Sequence, residues 1–470
     1  MAEQVSSGSV DPDPAADDAA APRPADRPLP PYPSSAGHPL LHTVHAMRDV
    51  FGFRERAMAD HDLIRIKLLG PGDVYHLGHP DHFERVLLND RERFRKSEDF
   101  RLTFEGGLVA VEGDAWRRQR EVLQPLFSRD SLRDYADGMV EAVRRRRDHW
   151  QPGTRIDLAA ETSDLTLDVL FATLLGRKLA VDGDEEIRTA ADRLQHWFTP
   201  TSYPLPTWIP TPARLRFKRG KRRLQSVADG LLDAAADDPP ADPGEADDLL
   251  SLLVALRESG VESEALTDDR LRDQVVTMIF AGHDTTATAI AFAFYALARY
   301  PEVRERFHAE VDALDGQPTV ADLDALDVTE RVVTETLRLF PPVYTIPREA
   351  TTDVVVDGYR IPEGATTWLT VDRVHRDPRF YDDPDTFRPG RWATDLRERL
   401  PDFAYAPFGG GPRACIGRQF ALMEAQLALA TIGRDYHLAW PDDRTDDGPP
   451  RRLGMTTRME PGTTVRVVER

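Results

Sequence analysis

The hydrophobic pattern along the chain is mainly helical, with short alternating stretches near both ends. Residues 63–78 are predicted to form two short strands around a Pro-Gly turn, and residues 353–371 repeat this pattern around an Asp-Gly turn. Most segments between these two stretches place apolar residues at helical spacing. The pattern therefore predicts a mainly α protein with small β-sheets, which belongs to the α+β class.

The longest helical segment covers residues 267–300. Thr267 can cap its first turn and Pro301 should end it, so at about 1.5 Å per residue the helix would extend roughly 50 Å. Residues 275–298 carry so little charge that a transmembrane span is an alternative. The polar residues 282–286 at mid-span argue against a span. We expect no transmembrane anchor here, but a helix buried in the core with a polar interruption.

Composition separates the N-terminal region from the rest of the chain. Residues 1–37 are rich in Pro, Ala, Ser and Asp, and we predict a disordered tail there and a single globular domain over residues 38–470. The tail lacks the basic start and apolar run of a secretory signal, so a cytoplasmic protein is expected. The net charge of -20 argues against a nucleic-acid partner, because phosphate recognition needs a basic face.

Cys415 is the only cysteine of the chain, and it lies in the glycine-rich stretch FGGGPRACIGRQF. A single cysteine excludes an internal disulfide and a cysteine cluster for zinc. The glycines let the backbone approach a flat partner and adopt positive φ, and a helix beginning after Cys415 would lower the pKa of the thiol. These residues alone leave three possibilities open, which are a metal ligand, a nucleophile and an inert buried cysteine.

This stretch resembles the haem-ligand loop of the cytochrome P450 family, F-x-x-G-x-x-x-C-x-G, at Phe408, Gly411, Cys415 and Gly417. Four further motifs resemble the family in matching order: WRRQR at residues 116–120, AGHDTT at 281–286, ETLR at 335–338 and FRPGRW at 387–392. The resemblance extends from about residue 38 to the C-terminus. It implies the P450 fold, a triangular helical body whose long central helix lies over the haem, and one haem b (iron protoporphyrin IX).

The resemblance also assigns roles in cofactor binding and folding. Cys415 would be the axial ligand of the haem iron, in a loop formed with Phe408, Gly411 and Gly417. The family's partners of the haem propionates match Trp116, Arg120, Arg348 and Arg413. Glu335 and Arg338 share one helical face and can pair, and the resemblance implies a buried pair completed by Arg391, with a structural role.

On the other side of the haem, the resemblance implies that Asp284 and Thr285 relay protons for oxygen chemistry. The alternative is that Thr285 bonds back to its own helix and Asp284 is only ion-paired. His283 is predicted to be a core histidine, because a permanent distal ligand would block oxygen. The implied activity is a monooxygenase that inserts one atom of molecular oxygen into a substrate. A peroxide-driven enzyme and a haem-binding sensor or carrier without turnover are alternatives.

Pocket-lining positions of the family match Phe104, Leu108, Phe280, Ala281, Val343 and Ile346. Their apolar character indicates a hydrophobic substrate such as a fatty acyl chain or a terpenoid. The chain ends about 50 residues after Cys415, so we expect electrons from a separate ferredoxin or flavodoxin-like donor with its reductase. A basic surface for that donor is predicted from Arg117, Arg118, Arg418 and the run 144–147. A monomer is expected.

Overall fold

A computed structural model describes residues 23–198, 208–240, 242–259, 267–440 and 449–470. The helices are α1 His42–Arg48, α2 Val50–Ala57, α3 Pro80–Glu84, α4 Glu98–Phe104, α5 Gly113–Leu123, α6 Arg129–Arg147, α7 Leu158–Thr173, α8 Glu185–Arg193, α9 Pro212–Ala235, α10 Leu249–Glu258, α11 Asp268–Arg299, α12 Pro301–Asp312, α13 Asp327–Leu339, α14 Val371–Val374, α15 Leu396–Arg399 and α16 Arg418–Asp435. The predicted mainly α architecture is confirmed.

The strands are short and lie in four small sheets. They are β1 Leu63–Leu68, β2 Gly72–Leu77, β3 Phe94–Arg95, β4 Arg155–Asp157, β5 Thr345–Ala350, β6 Val354–Val356, β7 Tyr359–Ile361, β8 Thr366–Thr370, β9 Tyr436–Ala439, β10 Arg451–Leu453, β11 Thr457–Met459 and β12 Thr464–Glu469. The largest sheet has the order β1-β2-β8-β5-β3, and β4-β12-β9 form a second sheet. The hairpins β6-β7 and β10-β11 form the two remaining sheets. The stretch 353–371 contains three strands, β6, β7 and β8, rather than the two predicted.

Helix α11 crosses the core, as the sequence pattern predicts. It packs against α7, α9, α13 and α16. Among the described residues it is the one helix long and apolar enough to cross a membrane, but 83% of its most apolar window is buried inside the protein. Thr267 occupies the N-cap position without a capping hydrogen bond from its side chain. The neighbouring helices therefore cover the apolar surface of α11.

The predicted disordered tail extends too far along the chain. Residues 23–37 are described, and the backbone N–H of Arg65 in β1 donates to the carbonyl of Pro31 over 3.1 Å. The hydroxyl of Tyr32 donates to Asp73 in β2 over 2.7 Å, and Ala36 is buried. The edge of the largest sheet thus supplies partners that composition does not reveal. The rest of the predicted tail, residues 1–22, lies outside the described residues.

Candidate active site

A cavity of about 830 Å³ lies between α11 and the loop that carries Cys415. Most of the residues predicted for the site line it: Phe104, Leu108, Trp116, Arg120, Phe280, Ala281, Thr285, Val343, Ile346, Arg348, Phe408, Arg413, Cys415 and Gly417. Asp284 and Gly411 do not line it. The fold therefore brings together, at one place, residues that lie more than three hundred positions apart in the chain.

The loop before α16 holds its shape through backbone contacts. The N–H of Cys415 donates to the carbonyl of Phe408 over 3.0 Å. Gly411 has φ +65°, and a Cβ there would collide with the carbonyl oxygen of Leu87, so only glycine fits. Gly417 has φ -87°, and a Cβ would lie 3.5 Å from the ring of Phe127. The expectation of a positive φ is thus wrong for Gly417.

The pKa of the Cys415 thiol is shifted in the direction opposite to the one that the sequence predicts. Its side chain is accessible from the cavity and otherwise surrounded by protein. Burial raises the pKa of the Cys415 thiol, and the lowering effects of the Gly417 backbone N–H and of the Arg120 and Arg418 guanidiniums are smaller. Helix α16 begins only at Arg418, three residues after the sulfur. A metal cation bound at the sulfur would favour the thiolate form of Cys415.

Three cationic side chains, those of Lys96, Arg348 and Arg413, meet at one side of the cavity, and the carboxylate of Glu112 lies among them. Arg413 pairs with Glu112 and its guanidinium lies 4.3 Å from the centre of the Trp116 ring. Arg348 is buried, and among the described residues its guanidinium donates only to the carbonyl of Pro347, over 2.8 Å.

Burial, together with the nearby Arg413, lowers the pKa of Arg348 to about 10. Burial, and then Arg348 and Arg413, lower the pKa of Lys96 well below its ordinary value. Partly or fully buried cations in excess of their counter-charges favour a bound anion, and the carboxylates of haem would supply one. Lys96 was missed at the sequence level because it lies outside every motif. Of the other predicted propionate partners, Arg120 donates to the carbonyl of Ala414 over 2.8 Å and so also supports the cysteine loop.

A buried ion-pair cluster lies away from the cavity, where α13 meets the segment 388–392. The Glu335 carboxylate accepts hydrogen bonds from Arg338 over 2.8 and 2.9 Å and from Arg391 over 3.0 Å. Trp392, which the sequence reasoning missed, donates its indole N–H to the same carboxylate over 2.8 Å. Burial by itself would raise the pKa of Glu335, but the hydrogen bonds and charges of the two arginines lower it overall.

The polar interruption of α11 faces two ways. Thr285 lines the cavity, and its hydroxyl donates to the carbonyl of Ala281 over 3.0 Å. The buried carboxylate of Asp284 is paired with Arg458 at 2.8 Å. His283 is buried, with its Nδ1 2.7 Å from the carbonyl oxygen of Ile279, which is a core environment. In this structure, Thr285 thus bonds back to its own helix and Asp284 is ion-paired, which are the contacts expected of the alternative to a proton relay.

The upper part of the cavity is lined mainly by apolar side chains. The rings of Phe104 and Phe280 pack with centroids 5.0 Å apart. The loop that carries Leu108 is held against α11, because its backbone N–H donates to Gln274 over 3.1 Å and that of Gly106 donates to Asp273 over 2.9 Å. Lining residues absent from the prediction include Leu170, Leu174 and Met278. The stretch 202–210, whose position in the sequence also resembles a pocket-lining region of the family, lies mostly outside the described residues.

The fold and this site are those of a haem-dependent oxidoreductase. The family model for cytochrome P450 matches residues 54–465, and the chain therefore belongs to the cytochrome P450 family. It is a cytochrome P450 oxidoreductase with a haem cofactor, as the sequence motifs predicted.

Relatives and solved structures agree with this assignment. Pentalenene oxygenase from Streptomyces avermitilis is 34% identical over 442 residues, which cover 90% of this chain and 96% of that protein. Cyclooctat-9-en-7-ol 5-monooxygenase from Streptomyces melanosporofaciens is 32% identical, covering 88% and 91%. The crystal structure of the haem domain of cytochrome P450DA superposes with a TM-score of 0.82 at 28% identity, covering 94% of this chain and 99% of that one.

Proposed function

We propose that this enzyme inserts one atom of molecular oxygen into a hydrophobic substrate of the terpenoid class. The observation that carries the proposal is the apolar cavity enclosed between Cys415 and Thr285, with a volume of about 830 Å³. The relatives named as pentalenene oxygenase and cyclooctat-9-en-7-ol 5-monooxygenase support a terpenoid over a fatty acyl chain. We place this activity in the cytoplasm and in a monomeric protein.

The residues of the lower cavity fit haem by their chemistry. Cys415 would hold the iron, and the excess cations Lys96, Arg348 and Arg413 would hold the haem carboxylates beside Trp116. Haem bound in this way supplies an iron centre that activates molecular oxygen for transfer to carbon. In the proposed reaction the protein contributes the anionic ligand, the charge that balances the carboxylates and the walls that exclude water.

Substrate positioning falls to the apolar wall, and proton handling to the middle of α11. Phe104, Phe280 and Leu108 exclude water and orient a substrate without polar groups. The hydroxyl of Thr285 is 3.0 Å from the carbonyl of Ala281, and turning away from it would let this hydroxyl donate into the cavity. Asp284, which directly precedes Thr285 in the helix, would pass a proton to Thr285 after Thr285 has donated its own.

The holoenzyme, supplied with a ferredoxin, its reductase and NADPH, is expected to oxidise pentalenene. The product should carry one heavy-oxygen atom when isotopically labelled molecular oxygen is used, as measured by mass spectrometry. A linear fatty acid with the same number of carbon atoms is the matched control and should give less product, because the names of the relatives favour a terpenoid over a fatty acyl chain. The Thr285→Ala variant should keep its haem but divert electrons into hydrogen peroxide.

Other outcomes would favour the alternatives. Turnover of the fatty acid but not of the terpene would contradict the substrate class. Haem binding without turnover of either compound would indicate a sensor or carrier. Faster product formation with hydrogen peroxide alone than with the electron donor would indicate a peroxide-driven enzyme. Coupling of electrons to product that is unchanged in Thr285→Ala would remove this residue from proton delivery.

We further propose that an acidic electron donor docks beside α5. Arg120 of this helix contacts the cysteine loop, so the exposed Arg117 and Arg118 lie close to the ligand side of the haem site. Arg117 pairs with Asp114 over 2.9 Å, at the exposed surface. Within the run 144–147, Arg146 and Arg147 cannot contribute to the predicted basic surface, because both are buried in ion pairs, among them those with Asp168 and Asp435.

Replacing Arg117 and Arg118 with glutamate is expected to slow reduction by an acidic ferredoxin about tenfold at low salt, through the association rate. The effect should shrink as salt is added, since the Debye length is about 8 Å at physiological ionic strength. Stopped-flow reduction measures it. The matched control replaces Arg216 and Arg219, which are exposed on α9, with glutamate for the same change in charge. Equal rates for both double variants would exclude this docking surface.

A further inference from the structure

Asp284, in the middle of α11, is held by residues near the C-terminus of the chain. Its carboxylate Oδ1 lies 2.8 Å from Nε of Arg458, and Oδ2 accepts a hydrogen bond from the Thr456 hydroxyl over 2.5 Å. Both partners belong to the β10-β11 hairpin. Asp284 is only 1% exposed and does not line the main cavity, whereas the adjacent Thr285 does. The hairpin therefore keeps the carboxylate away from Thr285.

Arg458 is shared between two carboxylates. Its Nη1 lies 2.8 Å from Oδ1 of Asp192 in α8, the same separation as between its Nε and Asp284. The side chain of Asp192 is half exposed, and a second cavity of about 270 Å³ touches both Asp192 and Arg458. Release of Asp284 would thus leave Arg458 paired, which lowers the cost of the release. The second cavity would then join Asp284 to the surface.

The same hairpin forms part of the substrate cavity. Gly454, Met455 and Thr456 line it. The hairpin is tied to another lining segment, because the Tyr344 hydroxyl donates to the carbonyl of Gly454 over 3.2 Å and the Thr457 N–H donates to the carbonyl of Pro342 over 2.8 Å. A substrate that pressed on these residues would move Thr456 and Arg458 relative to α11. Occupancy of the cavity would then change the contacts that hold Asp284.

We propose that Arg458 is a positioning residue that holds Asp284 away from Thr285 until substrate shifts Arg458 towards Asp192. Two balanced ion pairs form an element with two arrangements, which a small displacement of the hairpin can bias. The freed carboxylate then reaches the Thr285 side of the helix and is open to protons from the second cavity. This inference rests on the proposed function, because it assumes that Asp284 handles protons for the reaction.

Thermal unfolding of the holoenzyme tests the grip without any measurement of activity. Arg458→Gln should lower the melting temperature, because it leaves the buried Asp284 charge without its partner. In the double variant with Asp284→Asn the loss should be smaller than the sum of the two single losses. Arg452→Gln on the same hairpin is the comparison and should lower the melting temperature less, since Arg452 acts on Asp192 through its charge but forms no ion pair within 4 Å among the described residues. Additive losses would overturn the proposal.

Electron consumption in the presence of pentalenene tests the competition. Asp192→Asn should slow consumption about fivefold, at the lower end of typical coupling between sites, because Arg458 then stays on Asp284. The same substitution should have no effect in Arg458→Gln and should regain its effect in Arg458→Lys. An equal effect in all three backgrounds would overturn the proposal. Failure to bind pentalenene would contradict the proposed substrate class, and the unfolding cycle would then decide on Arg458 alone.

Discussion

The Cys415→Ser variant is expected to lose the long-wavelength Soret band of thiolate-ligated haem in the ferrous carbon monoxide difference spectrum. Serine preserves the size of the side chain and the hydrogen bond that the backbone N–H of residue 415 donates to the Phe408 carbonyl. A hydroxyl is a far weaker acid than a thiol, so it does not supply the anionic sulfur that this band reports. The chain has no second cysteine that could take over.

The loss of the band should be complete, and the variant should be unable to activate oxygen. Ala414→Ser is the matched control, since it adds the same hydroxyl one residue earlier in the loop and should leave the band in place. Haem content must be determined for both variants, because the cations around Arg348 and Arg413 can still hold the haem carboxylates. A Cys415→Ser protein that has full haem content and an unchanged band would refute the ligand assignment.

The parts of the site that the sequence predicts are those whose contacts lie close together in the chain. The cysteine loop lies within ten residues, so its family motif can be identified directly in the sequence. Glu335 meets Arg338 one helical turn away, so helical spacing indicates this pair. Gly411 belongs to the same local pattern. Its need for a positive φ is a property of the loop itself. Local geometry of this kind survives any arrangement of the remaining elements.

The contacts that were missed depend on where distant elements meet. Lys96 approaches Arg348 because it directly follows β3, which pairs with β5. Arg146 looks like part of a surface charge run, yet α7 supplies Asp168 and buries it. The partner of Asp284 is Arg458, on a hairpin near the C-terminus. Periodicity indicates which face of a helix is buried, but it does not identify the polar side chain of another element that contacts this face.

The buried cluster around Glu335 leads to the largest expected change in stability. Glu335→Gln keeps the shape of the side chain but removes the charge that faces Arg338 and Arg391, and all three side chains are buried. Breaking a buried ion pair by neutralising one partner costs about 3–5 kcal/mol, because the remaining charges lack compensation. The variant is expected to yield little folded holoenzyme and to unfold at a much lower temperature or urea concentration.

Glu330→Gln provides a matched control on the same helix, because Glu330 pairs with Arg397 at 2.9 Å with both side chains about half exposed. Such a surface pair contributes roughly 0–1 kcal/mol. The pH dependence separates the two further. The pKa of Glu335 is lowered in the folded protein, so its stabilising effect is present above the unfolded pKa and is lost as the pH falls through the folded pKa. The difference in stability between the parent enzyme and Glu335→Gln should therefore narrow in acid. Equal losses for Glu335→Gln and Glu330→Gln at neutral pH would show that this cluster does not hold the fold together.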